Sequence, residues 1–126
     1  MKTRISKPYK EWAKEWGATH ILQSDTFGRY FKCDSDGFGI MIKWHYSDDT
    51  DHYYLKWQSW WGNNKERPKM IKRYPVPDRD VYLEAETEIY IFDSLDSVMW
   101  YIKENNDKMI KVLKDNINKR LKKLVN

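Results

Sequence analysis

From residue 19 to residue 92 apolar side chains recur at every second position in run after run, and the two-residue repeat of a β-sheet gathers such residues onto one face. A sheet must therefore dominate the fold. Phe38, Ile40, Ile42, Trp44 and Tyr46 form one such set, and Tyr53, Leu55, Trp57 and Trp61 form another after the polar loop at 47–51. Strands are expected at 19–24, 29–34, 38–46 and 52–61, with turns at 25–28 and 34–37. Asp34-Ser35-Asp36-Gly37 is a strong hairpin signal, because glycine supplies the positive φ that the last turn position often needs. A weaker strand is expected at 69–74, where basic residues interrupt both faces, before Pro75 and Pro77 forbid ladder pairing. Val81, Leu83, Ala85, Thr87, Ile89 and Ile91 then alternate with Tyr82, Glu84, Glu86, Glu88, Tyr90 and Phe92. That pattern predicts one long half-buried strand, or a tight pair bending near Glu86 and Thr87, with the first set facing inward.

The period is different at the two ends. Ser6 can cap a short helix that carries Tyr9, Trp12, Ala13 and Trp16 on one face and stops at Gly17. Near the other end Asp93 or Ser94 can cap a helix whose apolar positions are Leu95, Val98, Met99 and Ile102. The series resumes in phase at Met109, Ile110, Leu113, Ile117, Leu121 and Leu124, so both one helix of about 30 residues and a break at Glu104-Asn105-Asn106-Asp107 fit the pattern, and a continuous or slightly kinked helix is the favoured reading. The expected fold class is α+β: an antiparallel meander of about five to seven strands, with a short N-terminal and a long C-terminal helix packed on it. Residues 1–126 are read as a single domain, since no composition shift divides them.

Forty per cent of the residues are apolar and 16% aromatic, which is ample core material and argues against disorder. The longest apolar stretches, such as residues 98–102, fall far short of the roughly 20 residues a spanning helix needs. The basic start leads into Ser6-Lys7-Pro8-Tyr9-Lys10 where a secretory signal would be apolar, so a cytoplasmic location is expected. Cys33 is the one cysteine, which excludes an internal disulfide; alternating with Phe31, it is expected as a buried, inert thiol on the inner face.

The net charge of +4 is unevenly spread. Residues 103–126 carry eight Lys or Arg against Glu104, Asp107 and Asp115, while residues 78–96 carry seven acids against Arg79. On the outer arc of the last helix, Lys108, Lys111, Lys114, Lys119, Lys122 and Lys123 are candidate nucleic-acid contacts, able to neutralise phosphates without reading sequence. A solvated helix face, partly compensated by Glu84, Glu86 and Glu88, is the plainer reading of the same lysines.

Trp60 and Trp61 point to opposite faces of a continuous strand, so at most one of them is core. The other would lie beside a basic loop, and Trp60, Trp61, Lys65, Arg67 and Lys69 are the candidate partner-binding residues. His45, His52 and the loop carboxylates Asp48, Asp49 and Asp51 could in principle hold a divalent metal. Their spacing matches no established site, and such residues are the ordinary stuff of polar hairpin loops, so neither a metal nor a cofactor is expected. No Gly-x-Ser-x-Gly or phosphate-cradling glycine pattern occurs. His20, His45, His52 and Arg29 could furnish a metal-free ribonuclease, but so could the residues of almost any small basic domain.

The expected function is therefore binding without catalysis: a small protein that blocks or modulates a macromolecule, such as a nucleic-acid enzyme, through an aromatic and basic surface. A direct nucleic-acid-binding regulator is the alternative, and a small ribonuclease the third. Richness in Lys, Asn, Ile and Tyr suggests an AT-rich bacterial genome, and small, charge-banded, aromatic-rich domains are frequent among phage and mobile-element accessory proteins, so an anti-defence role is one expectation. Self-association through the long helix is a further option.

Overall fold

The computed structural model describes residues 7–33, 38–62 and 81–124. Their order is α1 (Lys7–Trp16), β1 (His20–Gln23), β2 (Phe27–Cys33), β3 (Gly39–Ser47), β4 (His52–Gly62), β5 (Tyr82–Glu86), β6 (Tyr90–Phe92) and α2 (Leu95–Leu124). All pairings are antiparallel: β1 to β5 follow one another across the sheet, and β6 joins β4 on the same edge as β5. This is the expected α+β meander with a short and a long helix. Ser6 and the strand expected at 69–74 lie outside the described residues.

Both helices pack on one face of the sheet. Ile40, Ile42 and Trp44 of β3 and Tyr53, Leu55 and Trp57 of β4 meet Leu95, Val98, Met99, Ile102, Leu113, Ile117 and Leu121 of α2 in a single buried cluster. Ser94 caps α2, its hydroxyl accepting from the Ser97 amide at 3.2 Å. The helix then runs unbroken for 30 residues. Its asparagines do not end it: Asn106 is buried and accepts a hydrogen bond from Trp57 Nε1 at 2.9 Å, so a polar residue serves here as the bolt between helix and sheet. Helix α1 closes the other end, with Trp12 edge-on to Tyr30 at 6.0 Å and the Tyr9 hydroxyl donating to Asp96.

The structure corrects three expectations about which way side chains point. In β2 the inward residues are Gly28 and Tyr30, while Cys33 is exposed and Phe31 turns outward. Pairing decides this, because Gly28 and Tyr30 stand opposite the inward residues Trp44 and Ile42 of β3. Gly28 is thus a strand residue and not part of a turn. A Cβ there would lie 2.2 Å from Trp44 Nε1, so the indole occupies the space the missing side chain leaves.

The third correction concerns the last strand. Gln58 faces Glu86 but Leu55 faces Tyr90, so Lys56 and Trp57 are opposed by three residues, 87–89. This is a β-bulge, and it reverses the alternation beyond it. Thr87 spans the gap: its amide donates to Trp57 O at 3.0 Å and its hydroxyl accepts from the Trp57 amide at 3.1 Å. Tyr90 and Phe92 therefore pack inward beside Tyr101, while Ile89 and Ile91, expected inside, are each 59% exposed on the opposite face.

Candidate functional site

The face of the sheet opposite the helices is uncovered by any other described element, and its side chains form rows that cross the strands. One row runs Leu22, Arg29, Lys43, Lys56, with Leu22 opposite Arg29, Arg29 opposite Lys43 and Lys43 opposite Lys56. A second runs Phe27, His45, Tyr54, Ile91. A third, on the other side of the cations, runs His20, Phe31, Met41, Gln58, Glu86. Successive rows are two residues apart along each strand, or about 7 Å. Three cations in line across three strands, flanked on both sides by rings, are the strongest chemical pattern on this face.

The pattern is held firmly. The β3–β4 hairpin that sets the register turns at Asp51, which adopts a left-handed φ of 55° and donates its amide to Ser47 O at 2.9 Å. The Tyr46 hydroxyl donates to the Asp51 carboxylate, and this bond first of all holds the carboxyl below its ordinary value and pushes the Tyr46 phenol up to about 12. Tyr54 stacks on His45 with ring centroids 5.2 Å apart, and its hydroxyl donates to Thr50 Oγ1 at 2.9 Å. Arg29 sits over the Phe27 ring at 5.9 Å. Lys56 pairs with Glu86 at 2.6 Å; that hydrogen bond and the Lys56 charge, with a smaller contribution from Lys43, hold the Glu86 carboxyl below its usual range.

Between the rows lies a depression of about 240 Å³ lined by Phe27, Arg29, Lys43, His45, Tyr54, Lys56 and Ile89, together with Trp44 and Leu55. The side chains of Trp44 and Leu55 are buried on the inner face, so these two residues supply the floor through their main chain. The bulge makes the far wall. By interrupting the ladder beside Lys56, it leaves that lysine without a directly opposed residue on the β5–β6 side and turns Ile89 outward.

The residues singled out in the sequence are distributed differently. Trp60 lies half-buried on the open face, above Gly39 and stacked on Phe31 at 5.4 Å. Trp61 keeps the inward alternation of β4 to its end and is 0% exposed, so it is a core residue and not a contact. Lys65, Arg67 and Lys69 lie outside the described residues. On α2, Lys108, Lys111, Lys119, Lys122 and Lys123 are exposed, and Lys114 is half-buried with its ammonium 5.8 Å from the Phe38 ring centroid. They are on the helix side of the molecule, whereas Glu84 and Glu86 point to the open face, where Gln58 and Lys56 engage them. The acidic strand and the lysine helix thus face apart.

His45 and His52 both lie on the open face, yet they do not converge on the loop carboxylates. His52 Nε2 is 3.1 Å from Asp93 Oδ1, and its Nδ1 is 2.5 Å from Thr50 O. Among the described residues no group of three or more His, Cys, Asp or Glu is gathered as a metal site would require. No described helix is long and apolar enough to cross a membrane. Sequence reasoning passed over Lys43 and Lys56, which look like ordinary polar alternates until the hairpin register sets them opposite each other. Neither a family model, nor a curated protein, nor a solved structure matches the chain.

Proposed function

We propose that this chain is a non-catalytic binding module that holds a polyanion, nucleic acid, against the open face of its sheet. The observation that carries the reading is the direct cross-strand opposition of Arg29, Lys43 and Lys56. Like charges placed directly opposite each other weaken a sheet, by amounts comparable to the roughly 0.2–1 kcal/mol that a favourable pair contributes. Apart from the Lys56–Glu86 ion pair, folding gains nothing from such a row, and a phosphate chain lying across it gains from each cation. The flanking rings add surfaces on which bases stack whatever their sequence. Holding a strand in this way would let the protein block or modulate an enzyme that works on the same strand, the accessory role that its composition suggests.

The salt dependence of binding tests this. A single strand neutralising three cations should lose affinity with a slope of about −2 in log K against log salt, and further contacts from α2 would steepen it. Fluorescence anisotropy of a labelled oligonucleotide across a salt series measures the slope. Binding that ignores salt, or no binding at low salt, would contradict the proposal.

A further inference from the structure

We infer that the depression between the rows is a subsite for one unpaired nucleotide, so that the module selects single-stranded over double-stranded nucleic acid. The inference rests on the polyanion reading and goes beyond it by naming what occupies the hollow. At about 240 Å³ the space is smaller than the roughly 300–1,000 Å³ of pockets that enclose drug-sized ligands, which suits one planar ring system and not two.

Its lining divides into a flat apolar part and a charged part. The stacked His45–Tyr54 pair and Phe27 offer aromatic surface, and Ile89 closes the side opposite Phe27. Arg29, Lys43 and Lys56 stand one row away, where the phosphate attached to a base seated against those rings would lie. The aromatic part is set before binding, because the Tyr54 ring is fixed both by its stack on His45 and by its hydroxyl on Thr50; little rotamer freedom remains to be lost.

The charge pattern also limits the path of the ligand. Glu84 occupies the β5 end of the same face and repels phosphate, while the charge of Glu86 is met by Lys56, so the chain is confined to the region of β2, β3 and β4 that holds the hollow. A duplex keeps its ring faces stacked inside and can offer this surface its backbone and base edges but no face to stack. A strand with unpaired bases can do both, placing a ring in the hollow and its phosphates on the cations.

The test compares three fluorescein-labelled probes by anisotropy: an oligothymidylate of about ten nucleotides, within the usual footprint of such surfaces, an abasic oligomer of equal length, and a duplex. The thymidylate should bind roughly five- to hundredfold more tightly than the abasic strand, the effect of stacking one base. Tyr54→Ala should erase that difference while leaving abasic binding in place, and Tyr54→Phe, which keeps the stack on His45 and loses only the hydroxyl's anchor on Thr50, should preserve most of it. His45→Ala, at an exposed position, serves as a second variant should Tyr54→Ala lower the melting temperature. Equal affinity for thymidylate and abasic strands overturns the subsite and leaves the polyanion reading standing, as does an undiminished difference in folded Tyr54→Ala and His45→Ala. Failure of all three probes to bind overturns both.

Discussion

Trp57→Ala is expected to bring the protein to the edge of unfolding at room temperature. The indole is 0% exposed, lies edge-on to Tyr90 at 6.2 Å, and packs against Tyr101 at 6.1 Å. Removing a buried tryptophan costs roughly 3–5 kcal/mol through lost burial and the cavity left behind. Here a further penalty of about 1–3 kcal/mol follows, because Asn106 in the middle of α2 loses the donor that satisfies its buried carbonyl. A domain of this size has about 5–15 kcal/mol in total. Urea denaturation followed by circular dichroism measures the loss. Part of the extra penalty should return in the double variant Trp57→Phe, Asn106→Leu, which removes both polar partners at once. A loss below about 1 kcal/mol for Trp57→Ala would show that the indole is not the link between helix and sheet.

Lys43→Glu should separate binding from folding. Lys43 is the middle member of the cation row, and a carboxylate there would face Arg29 on one side and Lys56 on the other. Two repulsive pairs become two attractive ones, each contributing roughly 0.2–1 kcal/mol, which outweighs the loss of the weaker attraction between Lys43 and Glu86, so the melting temperature should hold or rise. Nucleic-acid affinity should fall about ten- to hundredfold, and the salt slope should shrink by about one phosphate contact. A variant that gains stability while losing its ligand marks a residue retained for binding. Full affinity in Lys43→Glu would move the contact surface to α2, and a sharp fall in melting temperature would make Lys43 structural.

The parts of this fold legible in the sequence are those whose alternation is self-consistent. In β3 the parity of Ile40, Ile42, Trp44 and Tyr46 is apolar throughout, and in β4 Tyr53, Leu55, Trp57 and Trp61 hold one parity broken only by Ser59, so the pairing of Tyr46 with Tyr53 and Ile42 with Trp57 follows. The long helix was legible too, its apolar series keeping phase across the asparagines, although a break there fitted the sequence until the buried Asn106 was seen bonded to Trp57. What the sequence concealed was parity in β2, a short strand in which neither parity is consistently apolar. Phe31 and Cys33 look more apolar than Tyr30 and Lys32, yet their register against β3 turns them outward, and Lys32 reaches back to the Trp16 carbonyl at 2.9 Å. The alternation of 81–91 offered a bend near Glu86 and Thr87 as one of two readings, but not the bulge at 87–89 or the reversed parity beyond it, because an extra residue in one strand is visible only against its partner.

The candidate site was concealed for the same reason. Arg29, Lys43 and Lys56 are spread over 28 positions of the chain and come into line only through two hairpin registers. The basic residues conspicuous in the sequence are the clustered ones on α2, where a continuous charge run is easily seen. Trp60 could be assigned to the open face only once β4 was known to continue unbroken to Gly62.

Amide chemical-shift mapping by NMR, with an unlabelled oligothymidylate titrated into the folded protein, asks most directly which side of the molecule meets the polyanion. The open-face account predicts that the shifts concentrate on Arg29, Lys43, His45, Tyr54 and Lys56. Shifts confined to the α2 lysines between Lys108 and Lys123, with β2, β3 and β4 unmoved at saturating ligand, would contradict it.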